Sequence, residues 1–198
     1  MTHRGPTSVL ALDSRYPVAL RALARPPACL WWSGRLPAPG EKLVAIVGSR
    51  DASPEGRARA ATLCAALVGA GYGVISGGAF GIDAAAHEAT LDAGGATFAV
   101  FGCGVDVSYP DRHAALFERI TERGGVLSEH PPGTPPRAKQ FPSRNRIIAA
   151  FSRAVVVVEA AARSGALHTA RAADALGLPL LAMPGSIGTD GLLGRGAI

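Results

Sequence analysis

Six short aliphatic runs, each closing on small or turn-forming residues, constrain this chain more than any other feature. Leu43–Val47 ends in Gly48-Ser49, Tyr72–Ile75 in Ser76-Gly77-Gly78, and Ala96–Phe101 in Gly102-Cys103-Gly104. Gly125–Ser128 runs into a loop carrying Pro131, Pro132 and Gly133, Ala154–Glu159 stops short of Ser164-Gly165, and Pro179–Met183 meets Pro184-Gly185. Helical patterns separate them, over Pro54–Ala70, Ile82–Ala93, Ser143–Phe151 and Leu167–Leu176. Strands that alternate with helices form βαβ units around a parallel sheet. Near-continuous apolar strands such as Val155–Val158 fit a sheet covered on both faces. The expectation is an α/β, doubly wound, mostly parallel Rossmann-like sheet with helices on both faces. Residues 41–198 form that domain, and the Pro-rich residues 1–40 a short N-terminal extension packing on it.

Size and composition agree. At 198 residues the chain is one domain, large enough to build a core without staples. With 48% apolar and 18% charged residues it is not disordered. Its pure apolar runs are far below the ~20 residues of a membrane span, and the first residues lack the apolar segment of a signal peptide. Cys29, Cys64 and Cys103 are scattered, never in Cys-x-x-Cys. That argues against a disulfide scaffold or zinc site and for a reducing cytoplasm.

Charge gives the first functional hint. Twenty Lys plus Arg against fifteen Asp plus Glu leave +5, and only Lys42 and Lys139 are lysines. Guanidinium forks suit phosphate and stack on bases; a high-Arg composition alone reads equally as a genomic bias. The strand ends add to the hint. In open parallel sheets ligands bind beyond the carboxyl ends of the strands, where helix N-termini present free N–H groups. Glycine there lets a ligand approach the backbone, and five such turns along one edge suit an extended anion.

Familiar enzyme patterns are thin. Gly-x-Gly-x-x-Gly is missing after the first strand, where Gly48-Ser49-Arg50-Asp51 stands, and no P-loop occurs, so no nucleotide cofactor is expected. His87 follows Asp83 by one helical turn, an acid–base pair or a dipole-compensating carboxylate with a packed imidazole. Cys103 reads as a reactive thiol or a small turn residue. His113 and His130 have no partner spacing, and no metal is expected.

The densest segment runs from Pro135 to Arg146. It carries Arg137, Lys139, Arg144 and Arg146 around Phe141, with Ser143 as a candidate N-cap. Cations and an aromatic at a helix start suit single-stranded nucleic acid, with phosphate on N–H groups and guanidinium ions and a base on the ring. Equally, Phe141 is a hydrophobic staple onto the helix.

Taken in order, these pieces resemble the DprA/Smf family of DNA-processing proteins. The matching stretches are Tyr16-Pro17 with Leu20, Val44–Arg50, Ser76–Asp83 with His87, Gly102–Asp106 with Tyr109-Pro110, Ser128–Gly133, Phe141–Ala149, Val157–Ala160, Ser164–Leu167 with Thr169-Ala170, and Pro184-Gly185. The resemblance implies a Rossmann-like fold that binds single-stranded DNA, forms homodimers and helps load RecA during natural transformation and recombination, without established catalysis. By position it implies a DNA site of Ser49, Arg50, Gly77, Gly78, Phe141, Arg144, Asn145 and Arg146, with Lys139 adding a phosphate contact. Two departures stand out: Phe80 where the family usually has Arg, and His168 where it has an aliphatic residue. Family members often carry an N-terminal helical domain and a C-terminal winged helix, which do not fit this chain.

A rival reading is a nucleoside-phosphate hydrolase of a related, lysine decarboxylase-like fold. Pro184–Thr189 resembles its Pro-Gly-Gly-x-Gly-Thr turn, although Asp190-Gly191 follows instead of a catalytic Glu. Leu192, Leu193 and Ile198, apolar in a Gly-punctuated segment, suggest a homodimer surface or a cap on the sheet edge.

Overall fold

The computed structural model describes residues 6–198; the reading of Met1–Gly5 as no signal peptide lies outside them. One eight-stranded sheet organises the chain in the order β1-β2-β6-β5-β4-β3-β7-β8. Its strands are β1 (Thr7–Leu10), β2 (Cys29–Gly34), β3 (Leu43–Val47), β4 (Gly73–Ser76), β5 (Thr97–Val100), β6 (Gly125–Ser128), β7 (Ala154–Val157) and β8 (Leu180–Ala182). The pairs from β6 through β8 are parallel, as the alternation predicts. Helices α1 (Val18–Arg21), α2 (Pro54–Gly69), α3 (Ile82–Asp92), α4 (Ala114–Arg123), α5 (Gln140–Ala150), α6 (Ala166–Ala175) and α7 (Ile187–Leu193) complete the fold.

Both sheet faces are buried, and β3 shows how. Leu43, Ala45 and Val47 point into a core shared with α1, α5 and α6. Val44 and Ile46 point into the opposite core, with Ala60 and Cys64 of α2 and Ile82 and Ala86 of α3. The period of two in a strand therefore serves two helical layers. A third cluster packs Leu116, Phe117 and Ile120 of α4 against Phe101 and Val126. The sequence reading assigns no helix to that segment, although this spacing is helical.

The N-terminal extension joins the sheet itself. β1 pairs antiparallel with β2, and β2 antiparallel with β6. From its sequence a short helix is expected around Pro17–Ala24 and a brief strand at Cys29–Trp32, where α1 and β2 lie; the Pro-rich composition conceals only β1 and the antiparallel pairing.

One expectation about the fold needs correction. Helix α5 begins at Gln140, not at Ser143, whose hydroxyl donates to the Gln140 carbonyl at 3.0 Å. Pro142 falls in the first helical turn, where the N–H it lacks has no intrahelical acceptor. Of the residues offered as a dimer surface or a sheet-edge cap, Leu192 is 6% exposed and packs in the chain's own core, with Leu193 half-buried beside it, as the capping reading expects. Ile198 alone of the three leaves its side chain exposed, while its backbone pairs with Leu180 and Ala182 along β8.

Candidate functional site

The sheet's topological switch lies at β3. From it the chain runs outward through β4, β5 and β6, then returns to β7 on its other side. A crevice is expected beyond the carboxyl ends there, and a cleft of about 380 Å³ opens at that place. Gly48, Ser49 and Arg50 from the end of β3 form one wall, Ser164, Gly165 and Thr169 around the start of α6 another, and Phe141, Arg144 and Asn145 of α5 cover it.

The backbone around Ser49 is fixed from both sides. Its N–H donates to the Glu159 carbonyl at 2.7 Å, and its own carbonyl accepts from Ile82 N–H at 3.1 Å. Glu159 in turn accepts from the Ser53 hydroxyl at 2.6 Å, while that hydroxyl oxygen caps α2 by accepting from Gly56 N–H at 2.9 Å. Arg50 leaves this rigid turn exposed to solvent, its guanidinium 5.8 Å from the centre of the Phe141 ring. Phe141 is half-buried, and its ring also lies 5.3 Å from that of Tyr109. It therefore packs as a staple would and still faces the cleft.

Arg144 differs from its sequence expectation. As the fifth residue of α5 it does not flank the free N–H groups; it is 4% exposed. Its Nη1 donates to the Gly77 carbonyl and its Nε to Asn145 Oδ1, both at 2.8 Å. Burial pushes its pKa down to about 10, against the pull of the Asp83 carboxylate, so it stays charged at neutral pH. A buried, still-cationic group in the cleft wall attracts anions more strongly than a solvated one. Asn145 also donates from Nδ2 to the Gly165 carbonyl at 3.2 Å, tying α5 to the start of α6.

Arg146 does not reach the cleft. Its guanidinium makes a bidentate pair with Glu129, 2.7 Å at each arm, and donates to the Arg25 and Ser143 carbonyls. The side chain lies two positions from Arg144, and 200° of helix turns it to another face. Lys139 is exposed at the N-cap of α5, outside the cleft lining. Gly77 floors a smaller hollow beside the cleft. Gly78, at φ +73°, turns inward, and its carbonyl accepts from His113 Nδ1 at 3.1 Å.

The candidate catalytic groups are occupied otherwise. Asp83 Oδ2 accepts from Gly77 N–H at 3.1 Å and Ala79 N–H at 3.3 Å, closing the β4–α3 turn. Thr97 gives its one hydroxyl proton to the Val74 carbonyl, so its oxygen accepts from His87 Nδ1 at 2.7 Å. His87 is fully buried and its pKa falls to about 3, chiefly through desolvation. It is neutral and does not face Asp83 as an acid–base partner. Burial pushes the Cys103 thiol up to about 11, and its Sγ donates to the Val107 carbonyl, as suits a turn residue. Among the described residues no group of three or more His, Cys, Asp or Glu could hold a metal ion, and no helix is long and apolar enough to cross a membrane.

The sequence reading marks Ser164-Gly165 as a strand-end turn suited to an anion without naming it a site residue, and it names neither Thr169 nor Tyr109 as one.

Comparison with known proteins bears on the family and the fold. The sequence model of the DNA recombination-mediator protein A family matches residues 7–197. Protein Smf of Escherichia coli (strain K12) is 43% identical over 190 residues, 92% of this chain and 51% of that protein. The chain spans about half the length of the first curated relatives it matches. The X-ray structure of DNA processing protein A from Streptococcus pneumoniae superposes with a TM-score of 0.91 at 39% identity, covering 98% of this chain and 71% of that one. DNA processing protein A from Helicobacter pylori, whose structure concerns a single-stranded DNA binding mode, superposes at 0.87 with 30% identity, covering 99% and 91%.

Proposed function

Because the chain belongs to the DNA recombination-mediator protein A family, we propose that it binds single-stranded DNA along the carboxyl ends of its strands, protects the strand and helps load RecA on it. Natural transformation and recombination in the cytoplasm are the setting. The observation that carries this reading is Arg50 poised over Phe141 at the mouth of a cleft whose wall holds the buried Arg144.

The parts divide the work. Arg50 and Arg144 attract the phosphate backbone, assisted by the N–H groups at the start of α6. Phe141 offers a half-exposed π-face to an unpaired base, an interaction tolerant of sequence. Duplex DNA hides its base faces and binds more weakly. No cofactor or metal is needed for this.

The chain acts by binding rather than turnover. Asp190, where the hydrolase reading needs a catalytic Glu, accepts from Gly185 N–H at 3.0 Å and stabilises its own turn. A homodimer fits as well, through the edge beside β8, where Ile198 is 79% exposed next to a groove of about 610 Å³. Sedimentation at micromolar concentration is expected to show a dimer.

Fluorescence anisotropy with single- and double-stranded oligonucleotides across a salt series tests the main reading. Preference for the single strand with a salt-dependent affinity is expected. Equal duplex binding, or release of free base from AMP, would overturn it.

A further inference from the structure

Phe80 and Tyr109 are the exposed aromatic rings among the described residues, 43% and 45% accessible, and both line one small hollow. The hollow, about 50 Å³, lies over Gly77 and Ala79 and shares Arg50, Ala79, Phe141 and Arg144 with the main cleft. Phe80 is held in place: its ring meets His113 edge-on at 4.7 Å, and His113 is anchored on the Gly78 carbonyl. Tyr109 leans on Phe141 at 5.3 Å. Positioned rings that remain half-exposed beside two guanidinium groups are poorly explained by packing, which would bury them.

We propose that Phe80, Tyr109 and Phe141 form a stacking site for an unpaired nucleobase of single-stranded DNA, with Phe80 contributing a π-face. This rests on the single-strand reading above and adds a subsite to it. The chemistry at residue 80 then changes kind. The arginine that the family resemblance leads one to expect there would contact phosphate, with an affinity that falls as salt rises. A phenyl ring contacts the base, which carries no charge, so its contribution is nearly independent of salt. The hollow is continuous with the cleft, so one nucleotide can place its phosphate near Arg144 and its base among the rings. A planar aromatic occupant also suits the Arg50 guanidinium above Phe141, since cation and ring already stack there.

The test compares the wild-type protein with Phe80→Leu, Phe80→Ala and Phe80→Arg, using a short single strand and the same strand built of abasic sites. Phe80→Leu keeps apolar volume against His113 while removing the π-face, and thermal melts check that each variant folds. Phe80→Leu and Phe80→Ala should bind the base-bearing strand about tenfold more weakly at every salt concentration, with unchanged salt slope and unchanged affinity for the abasic strand. Phe80→Arg should steepen the salt slope by about 0.7 and weaken the preference for the base-bearing over the abasic strand. Wild-type affinity in folded Phe80→Leu, or an equal loss on the abasic strand, would overturn the stacking site while leaving single-strand binding intact. A wild-type protein that ignores the single strand would overturn both.

Discussion

Arg144 and Asp83 hold Gly77 from its two ends: Arg144 Nη1 donates to the Gly77 carbonyl at 2.8 Å, and Gly77 N–H donates to Asp83 Oδ2 at 3.1 Å. Both charged groups are buried, so the turn after β4 is locked to α3 and α5 together. Burial pushes the Asp83 carboxyl up, while Arg144 and the two N–H donors pull it back. A Cβ at Gly77 would collide with Arg144 Nη2 and lie 2.7 Å from Asp83 Oδ2.

Gly77→Ala should therefore destabilise the fold by about 1–3 kcal/mol through overpacking. Arg144→Ala should cost about 3 kcal/mol or more, because it leaves Asp83 buried beside no cation. Arg144→Lys should rescue little, since one ammonium cannot span Gly77 and Asn145 as the guanidinium fork does. Denaturant titrations check all three; an Arg144→Ala protein of wild-type stability would contradict the buried arrangement.

Arg50 is exposed and carries no such structural duty. Arg50→Ala should leave the melting temperature unchanged and flatten the salt dependence of single-strand binding by about 0.7 in slope. Anisotropy across a salt series reads it directly.

Arg146 should behave in the opposite way. Its bidentate partner Glu129 already neutralises it, and the two side chains are only 24% and 17% exposed. Arg146→Ala is expected to cost about 1 kcal/mol of stability and to leave the salt slope of DNA binding as in wild type. A flattened slope would place Arg146 on the DNA after all.

Acid should destabilise the protein through His87. Its folded pKa is about 3 against 6.5 for the free side chain, so between those values the unfolded chain holds the extra proton. Stability then rises with pH across that window and falls as pH drops from about 6.5 toward 3. His87→Gln, which keeps a donor for Thr97, should flatten this limb. Melting temperatures at pH 7, 6, 5 and 4 for both proteins provide the measurement.

Phe141→Ala should weaken single-strand binding by about 1–3 kcal/mol without altering the salt slope. An unchanged affinity would make the ring a packing staple only.

The sequence by itself determined the alternation of strands and helices, the parallel sheet covered on both faces and the family. These rest on patterns local in the chain: β-branched runs, 3.6-residue periodicity, and turn residues in fixed order. The family resemblance also named Ser49, Arg50, Phe141, Arg144 and Asn145 by position, and the fold brings these five to one cleft. Only the tertiary structure decided which cations face the cleft. Arg144 and Arg146 look alike in sequence, yet one is buried on Gly77 and the other is paired with Glu129. Their fates depend on partners 67 and 17 residues away, and on a helix that starts three residues earlier than its serine suggests. The antiparallel placing of β1 and β2 beside β6 and the burial of Leu192 were likewise decided by what packs beside them, since neither pairing nor burial is written in a local period.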